Sequence, residues 1–231
     1  GDNKGINYLH VQYYTMNKDN CPNCGAPLKD GIFGTNKILA TTVADVINAA
    51  QETTTEGFCN KCGNDLFYTS LSKINKELHT LRQQIVTYIQ SIPAISIPNP
   101  AGWEYEVIGL VTAQSVTGTG IFSEVSMSLS DVLGKESDTM NKKIKEAENT
   151  CLTRLKNEAF TLGGNAILAL DIDYAEMGSL RGMIMICCTG TAVKVTNSTN
   201  ISRLANIESE IVYCREKIEK LDAICKPFNT V

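Results

Sequence analysis

Apolar residues recur at intervals of three and four in two long stretches of the chain, and this spacing predicts two amphipathic helices. The first stretch covers residues 67–92 and the second covers residues 201–225. Their apolar positions are Leu71, Ile74, Leu78, Leu81, Ile85 and Tyr88, and then Leu204, Ile207, Ile211, Cys214, Ile218, Leu221 and Cys225. Both stripes follow a heptad repeat, so we expect the two helices to pack as a coiled coil, within one chain or between subunits.

Strands and helices alternate in the segment between these two stretches. The pattern predicts a strand at 104–116, helices at 121–133 and 138–162, and strands at 166–174 and 182–195. In the second strand, Leu168, Leu170, Ile172 and Tyr174 alternate with Asp171 and Asp173. The last strand is apolar on both faces from Met183 to Cys188, as is typical of a strand covered on both sides. Because one helical layer covers a single face, we expect a neighbouring subunit to cover the other.

Composition narrows the possible functions. The net charge of the 231 residues is −4 without a basic stripe, so no nucleic acid partner is expected. No apolar run approaches the ~20 residues that span a bilayer, so we expect a cytoplasmic protein with no membrane contact. His10 and His79 are the only histidines, which leaves little for acid–base catalysis, and we expect no enzymatic activity.

Four of the nine cysteines form a repeated motif. The pattern C-x-x-C-G-x-x-L occurs at residues 21–28 and again at 59–66, 38 positions later. Each C-x-x-C turn aims two sulfurs at one point, and two turns supply the four thiolates that structural zinc prefers. The sequence therefore predicts one structural zinc ion held by Cys21, Cys24, Cys59 and Cys62. The glycine is expected to close each turn in a left-handed conformation, and the final leucine to pack beneath the metal.

The remaining five cysteines are Cys151, Cys187, Cys188, Cys214 and Cys225, and all lie at apolar positions of predicted helices and strands. An odd total argues against a closed disulfide framework and favours a reducing compartment. We expect these five thiols to act as small hydrophobic side chains.

The two halves of the motif are separated by an insertion. The gap from Cys24 to Cys59 holds 34 residues, whereas zinc ribbons of this type usually have ~15–20. Doubling a loop costs only ~0.6 kcal/mol in closure entropy, so the site tolerates the insertion. Within it, Ile38, Leu39, Val43, Val46, Ile47 and Ala50 fall on one face and predict a helix that packs over the ribbon.

Residues 105–195 resemble the YbjQ-like family, also called the heavy-metal-binding domain family. The matching segments are Tyr105–Val111, Gly118–Phe122, Asp131–Gly134, Leu162–Ile167, Asp171–Tyr174 and Thr189–Val193. The resemblance implies a strand–helix–strand–strand unit in a two-layer sandwich and a ring-shaped homo-oligomer, commonly a pentamer. Two positions depart from the family: Thr112 begins a segment where a glycine is usual, and Lys135 stands where an arginine is frequent. Metal binding is not carried over to this segment, because it has no histidine and no C-x-x-C.

The predicted fold is α+β: an N-terminal zinc ribbon with four cysteine ligands and a helical insertion, then a two-layer α/β sandwich flanked by heptad-patterned helices. The predicted divisions are the ribbon at 1–66 with its insertion at 30–56, a connecting helix at 67–92 and a Pro-rich linker at 93–102. The oligomerising domain follows at 103–197 and a C-terminal helix at 198–231.

The function that the sequence favours is a non-catalytic, zinc-binding, homo-oligomeric scaffold or binding platform. Its partners would be further copies of itself and a protein bound through the zinc ribbon or its insertion. One alternative is a ring that binds a small ligand or a soft metal through Met185, Cys187 and Cys188. A less favoured alternative is an enzyme that uses Asp171 and Asp173, which lie two positions apart on one strand face.

Overall fold

The computed structural model describes residues 19–29, 35–117, 135–177, 183–197 and 201–228, with side chains omitted at 135–140. The helix predicted at 121–133 lies outside these ranges. The chain divides into two compact units, one formed by residues up to Gln83 together with Cys214 onwards, the other by Gln84–Tyr213. The domain boundaries predicted from the sequence stay predictions.

The first unit contains the helix predicted within the insertion. This helix, α1, spans Thr41–Gln51 and buries Val43, Ala44, Val46, Ile47 and Ala50. Glu52, the residue that follows the helix, caps its C-terminus in a left-handed conformation. The side-chain amide of Asn48 then exchanges hydrogen bonds of 2.8 and 3.0 Å with the backbone of Thr55, so the loop after α1 is held against the helix.

Helices α2 (Asn60–Ser91) and α4 (Ile201–Cys225) carry the two heptad stripes and contribute residues to both units. In the first unit, Ile74, Leu78, Leu81, Cys214, Leu221 and Cys225 are buried. Arg82 pairs with Asp222 at 2.9 Å and Lys217 pairs with Glu77, so the two helices meet within one chain. Phe67 also contacts Phe228 in the short 3-10 helix Lys226–Phe228, with ring centroids 4.8 Å apart.

The second unit is built on a three-stranded antiparallel sheet with the strand order β1-β3-β2. The strands are β1 (Glu104–Val116), β2 (Ala166–Glu176) and β3 (Ile184–Asn197), and helix α3 (Lys135–Thr161) packs on one face. The core between α3 and the sheet contains Val111, Ala113, Ala147, Cys151, Leu155, Ala159, Ile167, Ile186, Cys188 and Ala192. The strand–helix–strand–strand order and the α+β fold are therefore as predicted.

Strand β2 differs from its predicted alternation. Leu168 pairs with Thr191, whereas Asp171 pairs with Thr189, so β2 holds one extra residue between these two pairs. Ala169 takes a left-handed conformation in this bulge, with φ of 51°. The predicted shared face is therefore wrong: Leu168 packs with Val193 and Val195, whereas Leu170 and Ile172 pack with the α3 core.

Strand β3 is buried by different neighbours along its two faces. Ile186 and Cys188 face α3 and are buried, whereas Met185 and Cys187 point to the other face and are half-buried. The same face carries Leu110, which is opposite Thr191 on β3 and is 72% exposed. Among the described residues, α3 is the only helix with extensive contacts to the sheet. Further along the second face, Val193 and Val195 are buried against Leu204 of α4. The part of this face around Leu110, Met185 and Cys187 stays exposed or half-buried in the single chain, and we call it the open face.

Gly190 and Gly109 offer a matched test of packing in this sheet. A Cβ atom at Gly190 would lie 2.5 Å from Cγ2 of Ile167 and 3.3 Å from the carbonyl oxygen of Leu168, whereas a Cβ atom at Gly109 would meet nothing within 4 Å. We expect Gly190→Ala to lower the free energy of unfolding by about 1–3 kcal/mol, because the core must shift to accept the methyl group. The single tryptophan, Trp103, lies in this unit, so guanidinium unfolding followed by its fluorescence measures the change.

Gly109→Ala is the control and should unfold within about 0.5 kcal/mol of the unmodified protein. Equal destabilisation by both substitutions would contradict the close approach of β2 to β3 at Gly190.

Candidate metal centre

The first C-x-x-C turn lies at the base of a short hairpin. Asn20 and Pro27 form an isolated antiparallel β-bridge, and the amide of Leu28 donates a hydrogen bond to the carbonyl of Asp19 at 2.9 Å. Inside the hairpin, the amide of Gly25 donates to the carbonyl of Cys21 at 2.9 Å, and Gly25 has a φ of +70°. This glycine therefore closes the turn in the predicted left-handed conformation.

The second C-x-x-C turn is the start of helix α2 and not a second hairpin. Cys59 precedes the first helical residue, and the amide of Gly63 donates to the carbonyl of Cys59 at 2.7 Å. Helix α2 thus begins at Asn60, whereas the apolar stripe alone predicted that it begins at residue 67. Sulfurs at a helix N-terminus lie near unpaired backbone amides, which favour negative charge.

Gly63 has a different role from Gly25, which corrects the equivalence expected from the repeat. It is helical, and a Cβ atom there would lie 2.5 Å from Cδ1 of Leu39 and 2.9 Å from Cβ of Phe58. The second glycine is therefore required for close packing of α2 against the segment that precedes α1, and not for a left-handed backbone.

The four predicted ligands come together. Their sulfur atoms all lie within 4.8 Å of one another, and three pairs, Cys21–Cys62, Cys24–Cys59 and Cys59–Cys62, are 3.7 Å apart. A tetrahedron with metal–sulfur bonds of ~2.3 Å has edges of ~3.8 Å. The distances fit four thiolates around one central ion and are far longer than a disulfide bond of ~2.05 Å.

Apolar side chains pack around the sulfurs on one side. Cys21, Cys59 and Ile38 are buried and form a small cluster with Leu28 and Cys62. Leu28 therefore lies beneath the site as predicted. Leu66 does not belong to this described cluster, because it lies one turn further along α2. Ile38, which forms an isolated β-bridge with Cys59, packs against the cysteines in its place.

Hydrogen bonds from nitrogen orient the sulfurs. The backbone amide of Cys59 donates to Sγ of Cys21 at 3.3 Å, and Nδ2 of Asn23 donates to Sγ of Cys62 at 3.5 Å. Such contacts fix ligand orientation in metal sites. Asn23 was missed by the sequence analysis, although its position between two cysteines of a C-x-x-C turn is a usable signal.

Two of the four thiols, Cys21 and Cys62, differ in acidity. Burial opposes ionisation of Cys21, but backbone amides of Cys24, Asn23 and Cys59 more than compensate and lower its pKa to about 7. Burial raises the pKa of Cys62 to about 12, and the neighbouring thiols Cys24 and Cys59 add to the rise. The opposite directions of the two pKa shifts follow from their surroundings: backbone amides favour the thiolate of Cys21, whereas burial and neighbouring thiols oppose that of Cys62.

The donor set fits a metal ion that prefers soft ligands in a tetrahedral arrangement. Four cysteines fill four positions, so the set leaves no coordination position open for a substrate. Among the described residues, no other group of three or more histidine, cysteine or acidic side chains converges in this way.

The other candidate residues do not converge. Asp171 and Asp173 are exposed on the open face of the sheet, opposite Thr189 and Cys187 on β3. Cys187 and Cys188 point to opposite faces, as alternation along a strand requires. Burial raises the pKa of Cys188 to about 12, with a further rise from contact with Cys151. His79 is exposed on α2.

No helix within the described ranges is long and apolar enough to cross a bilayer.

Cys59 and Cys225 give a matched pair for testing the centre, since both are fully buried thiols in the first unit. We expect Cys59→Ser to remove bound metal, because a hydroxyl group is a poor replacement for a thiolate. Cys225→Ser should keep the same number of metal ions per chain as the unmodified protein. Elemental analysis after gel filtration measures the metal-to-chain ratio. Equal metal retention in both variants would contradict the assignment.

The comparison with protein families finds a match, and it falls within the second unit. Residues 94–196 match the family model YbjQ_1, which is described as "Putative heavy-metal-binding". A crystal structure with a similar segment is that of a protein of unknown function from Pediococcus pentosaceus, which belongs to the DUF74 family. It shares 18% sequence identity, covers 44% of this chain and 95% of its own, and superposes with a TM-score of 0.29. Residues 94–196 therefore form a YbjQ-like domain, and the resemblance predicted from the motifs at 105–195 is confirmed.

Proposed function

We propose that this protein is a non-catalytic, homo-oligomeric scaffold in which a structural zinc ion organises the N-terminal unit. The observation that carries the proposal is the set of four cysteine sulfurs, three pairs of which are 3.7 Å apart and all of which lie within 4.8 Å. Zinc is the usual occupant of a closed four-thiolate site, and it brings no redox chemistry of its own. The ion would therefore hold the fold together and would not act on a substrate.

The open face of the sheet supports self-association. Leu110 and Val116 on β1 lie on the same face as Met185 and Cys187 on β3. Leu110 pairs with Thr191 and Val116 pairs with Met185, and alternate residues of β3 point to one face. Leu110 is 72% exposed and Val116 is 43% exposed, so this face presents apolar surface that a second copy would bury. A second copy of the domain is the occupant that we propose, and the family resemblance favours a ring of five.

A ring would display several zinc modules at once. Linked binding modules raise the effective concentration for a partner with repeated sites, without any new contact. We propose a protein partner that binds the zinc module or the α1 insertion, in keeping with a net charge of −4 that disfavours nucleic acid.

A second candidate function is soft-metal binding in the ring. Cys187 lies directly opposite Asp173 in the β2–β3 ladder, which places a thiol and a carboxylate side by side on the open face. Catalysis by Asp171 and Asp173 is a weaker candidate, because no described histidine, cysteine or acidic group completes a three-residue set with them. A metal content above one ion per chain that falls on Cys187→Ala would favour the soft-metal function over the scaffold.

Metal removal tests the structural role of the ion. Structural zinc contributes on the order of 10–16 kcal/mol to small modules, so its removal by a chelator should unfold the segment that contains the four cysteines. Native mass spectrometry should then show loss of one zinc per chain, while hydrogen exchange should rise at residues 19–63 and stay unchanged in β1, β2 and β3. Unchanged exchange at residues 19–63 after complete metal loss would contradict a structural role.

Leu110→Asp tests self-association through the open face. A carboxylate at this position would have to be desolvated in the interface without a partner, a loss of several kcal/mol per contact. We expect folded monomers in light scattering and an unchanged circular dichroism spectrum. A charge at Ile186 on β3 would not serve this test, because Ile186 faces α3 and would report on the core of its own chain.

Leu162→Asp is the matched control, because Leu162 is also a large exposed side chain, at 51%, and follows the end of α3. This variant should keep the oligomeric mass. A stable 25.2 kDa monomer of the unmodified protein at micromolar concentration would overturn the proposal.

A further inference from the structure

A cavity of about 340 Å³ lies in the second unit, and none of its lining residues is a cysteine. Four segments form it: the last turn of α2, the chain that follows it, α3 and the first turn of α4. Its lining residues are Gln90, Ser91, Ile92, Pro93, Ala94, Ile95, Trp103, Lys156, Arg203 and Leu204. A cavity of this size matches the lower range of small-molecule sites.

The charged groups in the cavity are both cationic. Lys156 and Arg203 contribute to the lining, and none of the described lining residues is acidic. Nζ of Lys156 donates to the backbone carbonyl of Gln90 at 2.7 Å, a neutral partner that leaves its charge uncompensated. Burial lowers the pKa of Lys156, with no carboxylate among the causes of the shift. The cavity therefore carries a positive potential that a bound anion would neutralise.

Most of the other lining residues are apolar, and one of them contributes an indole. Trp103 packs in the cluster that contains Leu204, and Ile92 and Ile95 continue the apolar surface. A flat apolar group is suited to such a surface, since indole faces favour stacked and edge contacts. Cations and an indole in one cavity of this size favour a ligand with two chemically different ends.

A second cavity of about 260 Å³ adjoins the first, since Gln90 and Lys156 line both. Its other lining residues are Asn149, Leu152 and Thr153 on α3. Lys156 can therefore be approached from two sides, and the second side offers an amide and a hydroxyl group for polar substituents.

We propose that this cavity binds a small organic anion. Its phosphate or carboxylate group would lie between Lys156 and Arg203, and its planar apolar body would lie against Trp103. Gln90 and Arg203 are outside the segment that matches the family model, so the flanking helices of this chain complete the site. All residues that line the cavity belong to the second unit, and none of the four metal-ligating cysteines is among them.

Trp103 is the only tryptophan, so its fluorescence reports on the cavity directly. We would titrate the full-length, metal-loaded protein with phenyl phosphate and with benzoate, and confirm binding by calorimetry. Inorganic phosphate tests the anionic group alone and phenol tests the apolar body alone. We expect a saturable change with at least one of the two aryl anions, and binding at least about tenfold weaker with phosphate and with phenol. The preferred aryl anion identifies the ligand class as phosphate or carboxylate.

Arg203→Gln should weaken binding about tenfold or more, because a charge-assisted hydrogen bond is lost, and Arg203→Lys should restore part of the affinity. Lys142→Gln is the control, since Lys142 is exposed on α3 outside both cavities and its loss changes the net charge equally. Thermal unfolding checks that each variant is folded. The proposal is overturned if neither aryl anion binds saturably at up to about 10 mM. It is also overturned if a folded Arg203→Gln variant binds as tightly as the Lys142→Gln control.

Discussion

The requirement that four cysteine sulfurs share one small volume determines how the N-terminal unit is built. Cys21 and Cys24 come from a hairpin, and Cys59 and Cys62 come from the start of a helix after 34 intervening residues. Three of the sulfur pairs nevertheless lie 3.7 Å apart. Few apolar side chains surround them, so this hairpin has little core of its own. A cation held by the four sulfurs would remove the repulsion between thiolates and would supply cohesion that so few apolar contacts cannot.

The second unit depends on burial along β3, the central strand of its sheet. One face of β3 is closed by α3 within the chain, through Ile186 and Cys188, whereas the other face presents half-buried Met185 and Cys187 beside exposed Leu110. The two units thus differ in what is left exposed: the cysteine hairpin of the first unit has few apolar neighbours, whereas the second unit has a packed core and an apolar patch around Leu110 on the open face.

Local patterns in the sequence were sufficient to predict the cysteine cluster, the α1 helix, the span of α4 and the strand–helix–strand–strand order. Three features were beyond them. No characteristic residue type marks the bulge at Ala169, so the predicted strand continued the alternation of side chains between its two faces through this position. Gly63 looked like a copy of Gly25, because only the packing of Leu39 and Phe58 distinguishes their roles. The cationic cavity joins residues far apart in the chain, among them Lys156 and Arg203, which no local pattern relates.

X-ray absorption at the zinc edge of the purified protein tests the central claim most directly, because it reports the identity, number and distance of the atoms bound to the metal. The four converging cysteines predict four sulfur neighbours at ~2.3 Å and no lighter ligand. A first shell that contains oxygen or nitrogen, fewer than four sulfurs, or a protein that carries no zinc would contradict a closed structural site formed by Cys21, Cys24, Cys59 and Cys62.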